Sequence, residues 1–291
     1  MKKLVLAAFI SLASLAASAQ VTFYGLVREY VDSTKVGSTT VTSMVDDTSR
    51  IGMRASENLG NGLTARVRIE TGFNANNPIN SPPTQYGSRR STIGLATKNG
   101  TVDFGLNTNS FFDTIDANDV FRTDYGSIAG DIHNVRTVRS GDAVFATYAM
   151  GPVKASFDRT LTGGNEATTY SASGNLGPVL ATVAHFDQGN ARSNVVAGQG
   201  SYLGAKITLI HSADSDVTGN SNGTTVGAAY KLALLPVTLK TSYGVKTGDV
   251  RAFALGAEYA MSKRTSVNVA LRNVDAVVDT RQIGVGLSHS F

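Results

Sequence analysis

The feature that most constrains this chain is an alternation of apolar with polar residues along nearly all of it. In the stretch LTARVRIETGF (63–73), apolar or small residues alternate with positions that include two arginines and a glutamate. A period of two is typical of a β-strand with one apolar face. Twelve segments show the pattern clearly, and four weaker ones lie near 141–150, 167–176, 178–187 and 194–203. The sequence therefore predicts sixteen strands and no amphipathic helix of useful length.

The predicted connections fall into two alternating sets. One set is short and rich in turn-forming residues, at 58–62, 99–100, 151–152, 177–178, 203–204, Pro236 and 261–264. The other set is predicted to be longer, at 32–47, 74–88, 108–138, 161–166, 188–193, 214–222, 247–250 and 274–279. Short turns at one end and longer loops at the other are typical of a barrel in an outer membrane. We predict an all-β fold, a transmembrane 16-stranded antiparallel up-and-down β-barrel with both ends on the periplasmic side.

The last strand supports closure of the barrel. The chain ends QIGVGLSHSF, with one apolar face that includes His289 and Phe291 and one face of small or polar residues. A barrel cannot leave an open edge in lipid, so this strand must pair with the first along its length. A soluble β-sandwich is disfavoured, because the second face of many strands carries arginine, lysine or glutamate rather than core residues.

The first nineteen residues predict export from the cytoplasm. Two lysines, an apolar run and the small-residue site Ala17-Ser18-Ala19 are typical of a signal peptide over 1–19, which leaves a single barrel domain over 20–291. The chain has no cysteine, so no disulfides are expected. Without the two lysines of the signal peptide, the formal charge falls from +4 to +2, which is too small to suggest a nucleic-acid partner.

Several stretches resemble the Gram-negative general porins of the β-proteobacterial and neisserial type. They are VTFYGLV at the start of the mature chain, 49–73, 89–109 and the terminal GLSHSF. The resemblance implies an outer-membrane homotrimer and passive diffusion of ions and small hydrophilic solutes. It also implies contact with membrane lipid and lipopolysaccharide, and recognition of His289 and Phe291 by the barrel assembly machinery. By analogy, the candidate subunit-facing residues are Gly25, Val27, Ile51, Met53, Ala65, Val67 and the last strand, with loop 74–88 as a possible latch.

Charged residues define the candidate pore. Alternation places seven basic side chains on the inner face of the first four predicted strands: Arg28, Arg50, Arg54, Arg66, Arg68, Arg90 and Lys98. Five aspartates lie in the constriction loop 108–138: Asp113, Asp116, Asp119, Asp124 and Asp131. The resemblance implies that this third extracellular loop folds inward and faces the cations across a narrow passage. Seven cations against five carboxylates favour a weak preference for anions. The plainer interpretation is that these charges only solvate a wet face.

Other functions receive less support from the sequence. The four histidines, His133, His185, His211 and His289, lie in no recognisable catalytic arrangement, and no cofactor or metal motif is found. An enzyme is therefore not expected. A substrate-specific channel and a non-channel surface barrel such as an adhesin remain alternatives. A sugar-specific channel should show a ladder of aromatic residues through the lumen, and Tyr24 and Tyr30 are the main inward-facing candidates.

Overall fold

The computed structural model describes residues 20–77, 85–164 and 166–291, so the predicted signal peptide lies outside the described residues. Within this part of the chain, seventeen strands form one antiparallel sheet. They are β1 (Gln20–Val36), β2 (Thr39–Asp46), β3 (Arg50–Gly60), β4 (Leu63–Gly72), β5 (Arg90–Ala96), β6 (Gly100–Thr108), β7 (Arg139–Met150), β8 (Val153–Thr160), β9 (Ala167–Leu176), β10 (Val179–Gln188), β11 (Ala191–Tyr202), β12 (Ala205–Asp216), β13 (Gly219–Lys231), β14 (Val237–Lys246), β15 (Val250–Ala260), β16 (Thr265–Asp275) and β17 (Thr280–Ser290).

The sheet closes as a barrel of sixteen strands. β2 and β3 pair one after the other with the same edge of β1, so they act as one strand interrupted at 47–49. Thr48 has a φ of 63° at this interruption, which breaks the extended backbone. The other edge of β1 pairs with β17, from Leu26 opposite Ser290 to Val36 opposite Thr280. The predicted 16-stranded antiparallel barrel is confirmed.

The final residue takes part in this closure. The backbone N–H and C=O of Phe291 both bond with Gly25, at 3.1 and 3.0 Å. The ring of Phe291 lies over Gly25 so closely that a Cβ at that position would collide with it. His289 lies on the same strand and its Nδ1 is 2.9 Å from Oγ1 of Thr265.

Several connections are shorter than the sequence predicted. The segment 32–47 is mostly strand, because β1 continues to Val36 and β2 begins at Thr39. Threonine and valine dominate this segment and favour extended backbone, and Gly37, with a φ of 57°, supplies the tight turn. The predicted loops 188–193 and 214–222 are likewise reduced to two-residue turns at 189–190 and 217–218. The two long connections are 73–89, described in part, and 109–138.

The long connection between β6 and β7 contains two short helices, α1 (Ser110–Asn118) and α2 (Ala129–Ile132). Asn109 caps α1, since its side chain accepts a hydrogen bond from the backbone N–H of Phe112 at 2.8 Å. Among the described residues, no helix has the length and apolar character needed to cross a membrane.

The two faces of the barrel wall differ in exposure. Apolar side chains on the outer face are open, as at Val31, Ile93 and Leu255, which are 58, 63 and 48% exposed. On the inner face of the strands after β8, apolar side chains such as Phe186 and Val195 are fully buried. Something inside the barrel must therefore cover them, and that is the connection between β6 and β7.

Candidate functional site

The connection 109–138, here called the inner loop, is held first through α1. Phe111 and Ile115 of this helix are fully buried against Phe186, Val195 and Ile210 of the wall. The rings of Phe111 and Phe186 are 5.9 Å apart and tilted, a favourable aromatic arrangement. The start of the helix is also fixed, because the backbone N–H of Ser110 donates to Oδ2 of Asp158 at 2.6 Å.

A second apolar cluster fixes the middle and end of the inner loop. Val120, Phe121, Ile128 and Ile132 pack against small side chains of β15 and β16: Ala252, Ala254 and Ala270. Gly244 on β14 makes room for this contact, since a Cβ there would lie 2.6 Å from the side chain of Ile132.

The tip of the inner loop contacts the first and last strands. The ring of Tyr125 stacks on Tyr30 of β1 with centroids 3.9 Å apart, and its hydroxyl donates to Asp32. Gly284 of β17 leaves the space that this hydroxyl occupies, because a Cβ would collide with it. The small inner face of the last strand is thus a docking surface for the loop.

His133 joins the end of the inner loop to the wall. The imidazole is fully buried, with Nδ1 2.9 Å from Oγ of Ser212 and Nε2 2.9 Å from Oγ1 of Thr225. Burial lowers the pKa of His133 to about 4, and the positive charge of Lys246 acts in the same direction. The ring is therefore neutral at pH 7 and serves as a hydrogen-bonding clamp.

These contacts place the inner loop inside the barrel. They reach β1 and every strand from β8 to β17 on the face opposite the exposed apolar belt. A segment of thirty residues can touch all of these strands only from the lumen. The region between β2 and β5 is left uncovered.

The uncovered region faces a cavity of about 790 Å³. One side is lined by guanidinium groups of the wall, and the other by carboxylates of the inner loop. The basic residues on the wall side are Arg50, Arg68, Arg89, Arg90 and Arg139, and the acidic residues of the loop are Asp113, Asp116, Asp124 and Asp131. Arg122 of the loop, Arg272 of β16 and the carboxylates of Asp47 and Glu70 also line the cavity. A second cavity of about 490 Å³ adjoins it and is lined by Arg54, Arg66, Arg68 and Arg90.

The predicted basic residues do not all have the same surroundings. Arg28 is bridged to Asp47 at 2.8 Å and to Asp124 at 2.7 Å, and Arg66 is bound to Asp103 with Nε 2.7 Å from Oδ1. Lys98 is not on a strand, because β5 ends at Ala96, and its exposed side chain belongs to the turn before β6.

Among the remaining predicted arginines, Arg50, Arg54 and Arg90 contact neutral groups, whereas Arg68 is also bridged to Glu70 at 3.0 Å. Arg50 donates to the backbone O of Thr48 at 3.1 Å, and Arg90 donates to Oδ1 of Asn107 at 2.7 Å. Arg54 and Arg68 both lie over the ring of Tyr24, 5.5 and 5.4 Å from its centroid. Such cation–π contacts orient a guanidinium without cancelling its charge.

Arg89 and Arg139 line the cavity but were not predicted from the sequence, whereas Glu70 was considered there as a further residue of the lumen. Arg89 precedes β5 and Arg139 begins β7, so neither lies within a run of alternating residues. Glu70 is on β4, and it accepts from Arg68, from Arg89 and from the hydroxyl of Tyr24, at 3.0, 3.0 and 2.9 Å.

The loop aspartates are mostly engaged within the structure. Asp116 is paired with Arg122 at 2.8 Å and Asp131 with Arg272 at 2.8 Å, while Asp124 is paired with Arg28. Asp119 is buried and accepts from the backbone N–H of Phe121 and Thr123, so it shapes the loop itself. Asp113 is exposed to the cavity. Burial raises the pKa of Asp124, against the opposing effect of Arg28.

The comparisons with known proteins agree with this architecture. The family model of the Gram-negative porins matches residues 4–289. The chain belongs to the Gram-negative porin family. The porin is 24% identical over 363 aligned positions to the major outer membrane protein P.IB of Neisseria gonorrhoeae, covering all of both chains. It is 40% identical over 76 residues to an outer membrane porin protein of Bordetella pertussis, which is 25% of this chain and 20% of that protein.

Solved structures show the same fold. The porin superimposes on an anion-selective porin from Comamonas acidovorans with a TM-score of 0.80 and 18% identity, covering 94% of this chain and all of the other. A trimer form of OmpT from Vibrio cholerae matches with a TM-score of 0.71 and 14% identity over 94% of this chain and 99% of that one. The porin is thus an outer-membrane β-barrel of the diffusion-channel type.

Proposed function

We propose that this porin forms a water-filled channel whose narrow part lies between the inner loop and the arginines of β3, β4 and β5. Ions and small hydrophilic solutes diffuse through it passively, with a weak preference for anions. The argument rests on how the charges on the two sides of the 790 Å³ cavity are paired.

The two sides of the cavity differ in the number of neutralised charges. Three of the loop carboxylates that line the cavity are paired with arginines, at 2.7–2.8 Å. Among the described residues, Arg50, Arg90 and Arg139 make no ion pair, because their hydrogen-bond acceptors are uncharged oxygens. Arginine remains protonated at any working pH. The wall therefore presents free positive charge, which attracts anions into the passage.

The solved relative named as anion-selective supports the same preference for this chain. Within its described part, no group of three or more histidine or acidic residues is arranged to hold a metal ion. We propose a channel rather than an enzyme because the family model that matches the chain is that of the Gram-negative porins.

We further propose that three copies assemble as a homotrimer. The trimer form of OmpT supports this assembly, and so do the exposed apolar side chains on the outer face of β1 and β3, such as Phe23 and Ile51, at 71 and 50%. Lipid and lipopolysaccharide would surround the remaining outer wall. In this proposal the barrel assembly machinery recognises the terminal strand through His289 and Phe291, before Phe291 pairs with Gly25.

The test is a single-channel recording in a planar lipid bilayer with a tenfold gradient of potassium chloride. We expect stepwise insertions, in multiples of three conductance units, and a reversal potential whose sign shows that chloride is more permeant than potassium. A reversal potential of the opposite sign would refute the anion preference. A folded, heat-modifiable barrel that conducts no current would refute the channel itself and favour a non-channel surface barrel such as an adhesin.

A further inference from the structure

Two consecutive phenylalanines of α1 have opposite surroundings. Phe111 is fully buried against Phe186 of the wall. Phe112 instead lines the 790 Å³ cavity, and it belongs to neither of the apolar clusters that hold the described part of the inner loop. A ring that faces a water-filled cavity adds little to the packing of the loop. Its position therefore calls for a role in the passage.

A second apolar residue of the inner loop, Val138, lines the same cavity as Phe112. Asn109 accepts from the backbone N–H of Phe112 at 2.8 Å and donates its own backbone N–H to the carbonyl of Val138 at 3.4 Å. Asn109 thus ties the beginning and the end of the inner loop together at one point. The side chains of Phe112 and Val138 give the cavity wall an apolar surface.

Positive charges adjoin this apolar surface. Arg139 directly follows Val138 and donates Nε to the backbone O of Arg89 at 3.0 Å, which leaves its charge unpaired among the described residues. Arg90, held by Asn107, lines the same cavity. Asp113, next to Phe112, is exposed, and its negative charge acts on Arg90. A carboxylate in the cavity is therefore attracted chiefly by Arg139, whose hydrogen-bond acceptor is an uncharged oxygen.

We propose that Phe112 and Val138 form the apolar half of a binding site for small monocarboxylates that carry an aromatic or aliphatic group. The carboxylate lies at Arg90 and Arg139, where a guanidinium can donate two parallel hydrogen bonds to it. The apolar group lies against the ring of Phe112 and the methyl groups of Val138. Weak binding of this kind raises the local concentration of the solute and still allows release.

This inference rests on the proposed anion-preferring channel and names a class of solute for it. The probe is benzoate, with acetate and chloride as references, in bilayers bathed by potassium salts. In a passage without an apolar contact, benzoate would be less permeant than acetate because it is larger and diffuses more slowly. We expect the wild-type permeability ratio of benzoate to acetate to exceed one, by about two- to tenfold for one aromatic contact.

The variant Phe112→Ser should lower the ratio of benzoate to acetate below one, whereas Phe112→Leu should keep an intermediate ratio because it retains an apolar side chain. Both should leave the ratio of chloride to potassium within about twofold of the wild type. Tyr230→Phe on the outer face is the matched control and should change nothing. Insertion and heat-modifiability on gels establish that each variant is folded.

The outcomes separate the two proposals. A wild-type ratio of benzoate to acetate below one refutes the site without any variant. The site is also refuted when Phe112→Ser leaves the ratio unchanged or raises it, since the ring would then be only an obstacle. A wild-type permeability ratio of chloride to potassium of one or less would instead refute the proposed anion-preferring channel.

Discussion

The inner wall formed by β9–β15 and the inner wall formed by β3–β5 share one backbone geometry but carry different side chains. The first is built from small and apolar residues, as at Ala197 and Ala254, and the inner loop covers them. The second is built largely from arginines, as at Arg50 and Arg90, and it faces an open cavity. In a wet barrel, the side chains of the wall therefore decide where a loop docks and where water remains.

The physical reason lies in what each wall can offer a loop. Covering alanine and glycine removes apolar surface from water and leaves room for side chains such as Phe111 and Ile132. Covering the arginine wall would require removing several charges from water, which costs far more unless each finds a partner. The loop accordingly docks on the small-residue side, and the cavity lies against the arginines.

The largest effect is expected when a side chain that docks the inner loop is removed. Phe111→Ala should leave a cavity beside Phe186 and destabilise the loop by about 3–5 kcal/mol, the usual cost of such a truncation. Trypsin cleavage at the exposed Arg122 would report the released loop. Phe112→Ala is the matched control, and its cleavage rate should stay near that of the wild type. If the two substitutions accelerate cleavage equally, the assignment of Phe111 to the buried face and Phe112 to the cavity face of α1 is wrong.

Acid should also weaken the packing of the inner loop against the wall of β9–β15. Since the pKa of His133 is about 4 in the folded chain and 6.5 in the unfolded chain, the unfolded chain binds the proton first as the pH falls. The associated stability is complete above pH 6.5 and is lost progressively down to pH 4. By linkage it amounts to about 3 kcal/mol.

The measurement for His133 is the heat-modifiability midpoint on gels at pH 7.5 and pH 4.5. His133→Gln keeps hydrogen-bonding groups but cannot titrate, so its loss of stability with acid should be smaller than that of the wild type. Burial raises the pKa of carboxylates such as Asp124, so acid stabilises the fold through them. This contribution is the same in the wild type and in the variant, and it cancels when their acid profiles are compared. Identical acid profiles would show that His133 does not titrate with unfolding.

A finer test concerns the glycine that receives the loop tip. Gly284→Ala would place a methyl group where the hydroxyl of Tyr125 lies, so the stacked ring must shift at a cost of about 1–3 kcal/mol. Gly198→Ala is the control, because its nearest neighbour would be at 3.5 Å. Open-channel current noise should rise for Gly284→Ala alone. Adding Tyr125→Phe to Gly284→Ala should reduce the noise, because the hydroxyl that collides with the new methyl group is removed. If the double variant is as noisy as Gly284→Ala alone, the loop tip does not lie against Gly284.

The sequence predicted one half of the wall much better than the other. Arg50, Arg54 and Arg68 follow strict alternation, so their inward direction could be read directly. Lys98 was placed wrongly on a strand because the same alternation continues into the turn, where no pattern marks the end of β5 at Ala96. Arg139 was missed because it begins a strand and lay between the predicted loop 108–138 and the weak strand near 141–150.

The docking of the inner loop could not be predicted from local patterns. Residues such as Gly284 and Tyr125 are distant in sequence, and a small inner face looks the same whether it meets water or a side chain. Likewise, the pairing of Arg28 with Asp124 changes a predicted free cation into a neutralised one. The count of charges was therefore informative only after the pairing was known.

The smallest expected effect tests the arginine-rich wall of β3–β5 most directly. Arg50→Ser combined with Arg90→Ser removes two unpaired charges from the cavity wall without touching the docked side. A unit charge about 4 Å from a passing ion contributes about 1 kcal/mol in water, so removing two charges should lower the permeability ratio of chloride to potassium by at least about fivefold. Lys98→Ser removes a charge from the exposed turn and should leave the ratio unchanged. The difference should shrink in 1 M salt, where the screening length is about 3 Å. A fall of equal size for Lys98→Ser would mean that overall charge, and not the arginine wall, sets the preference.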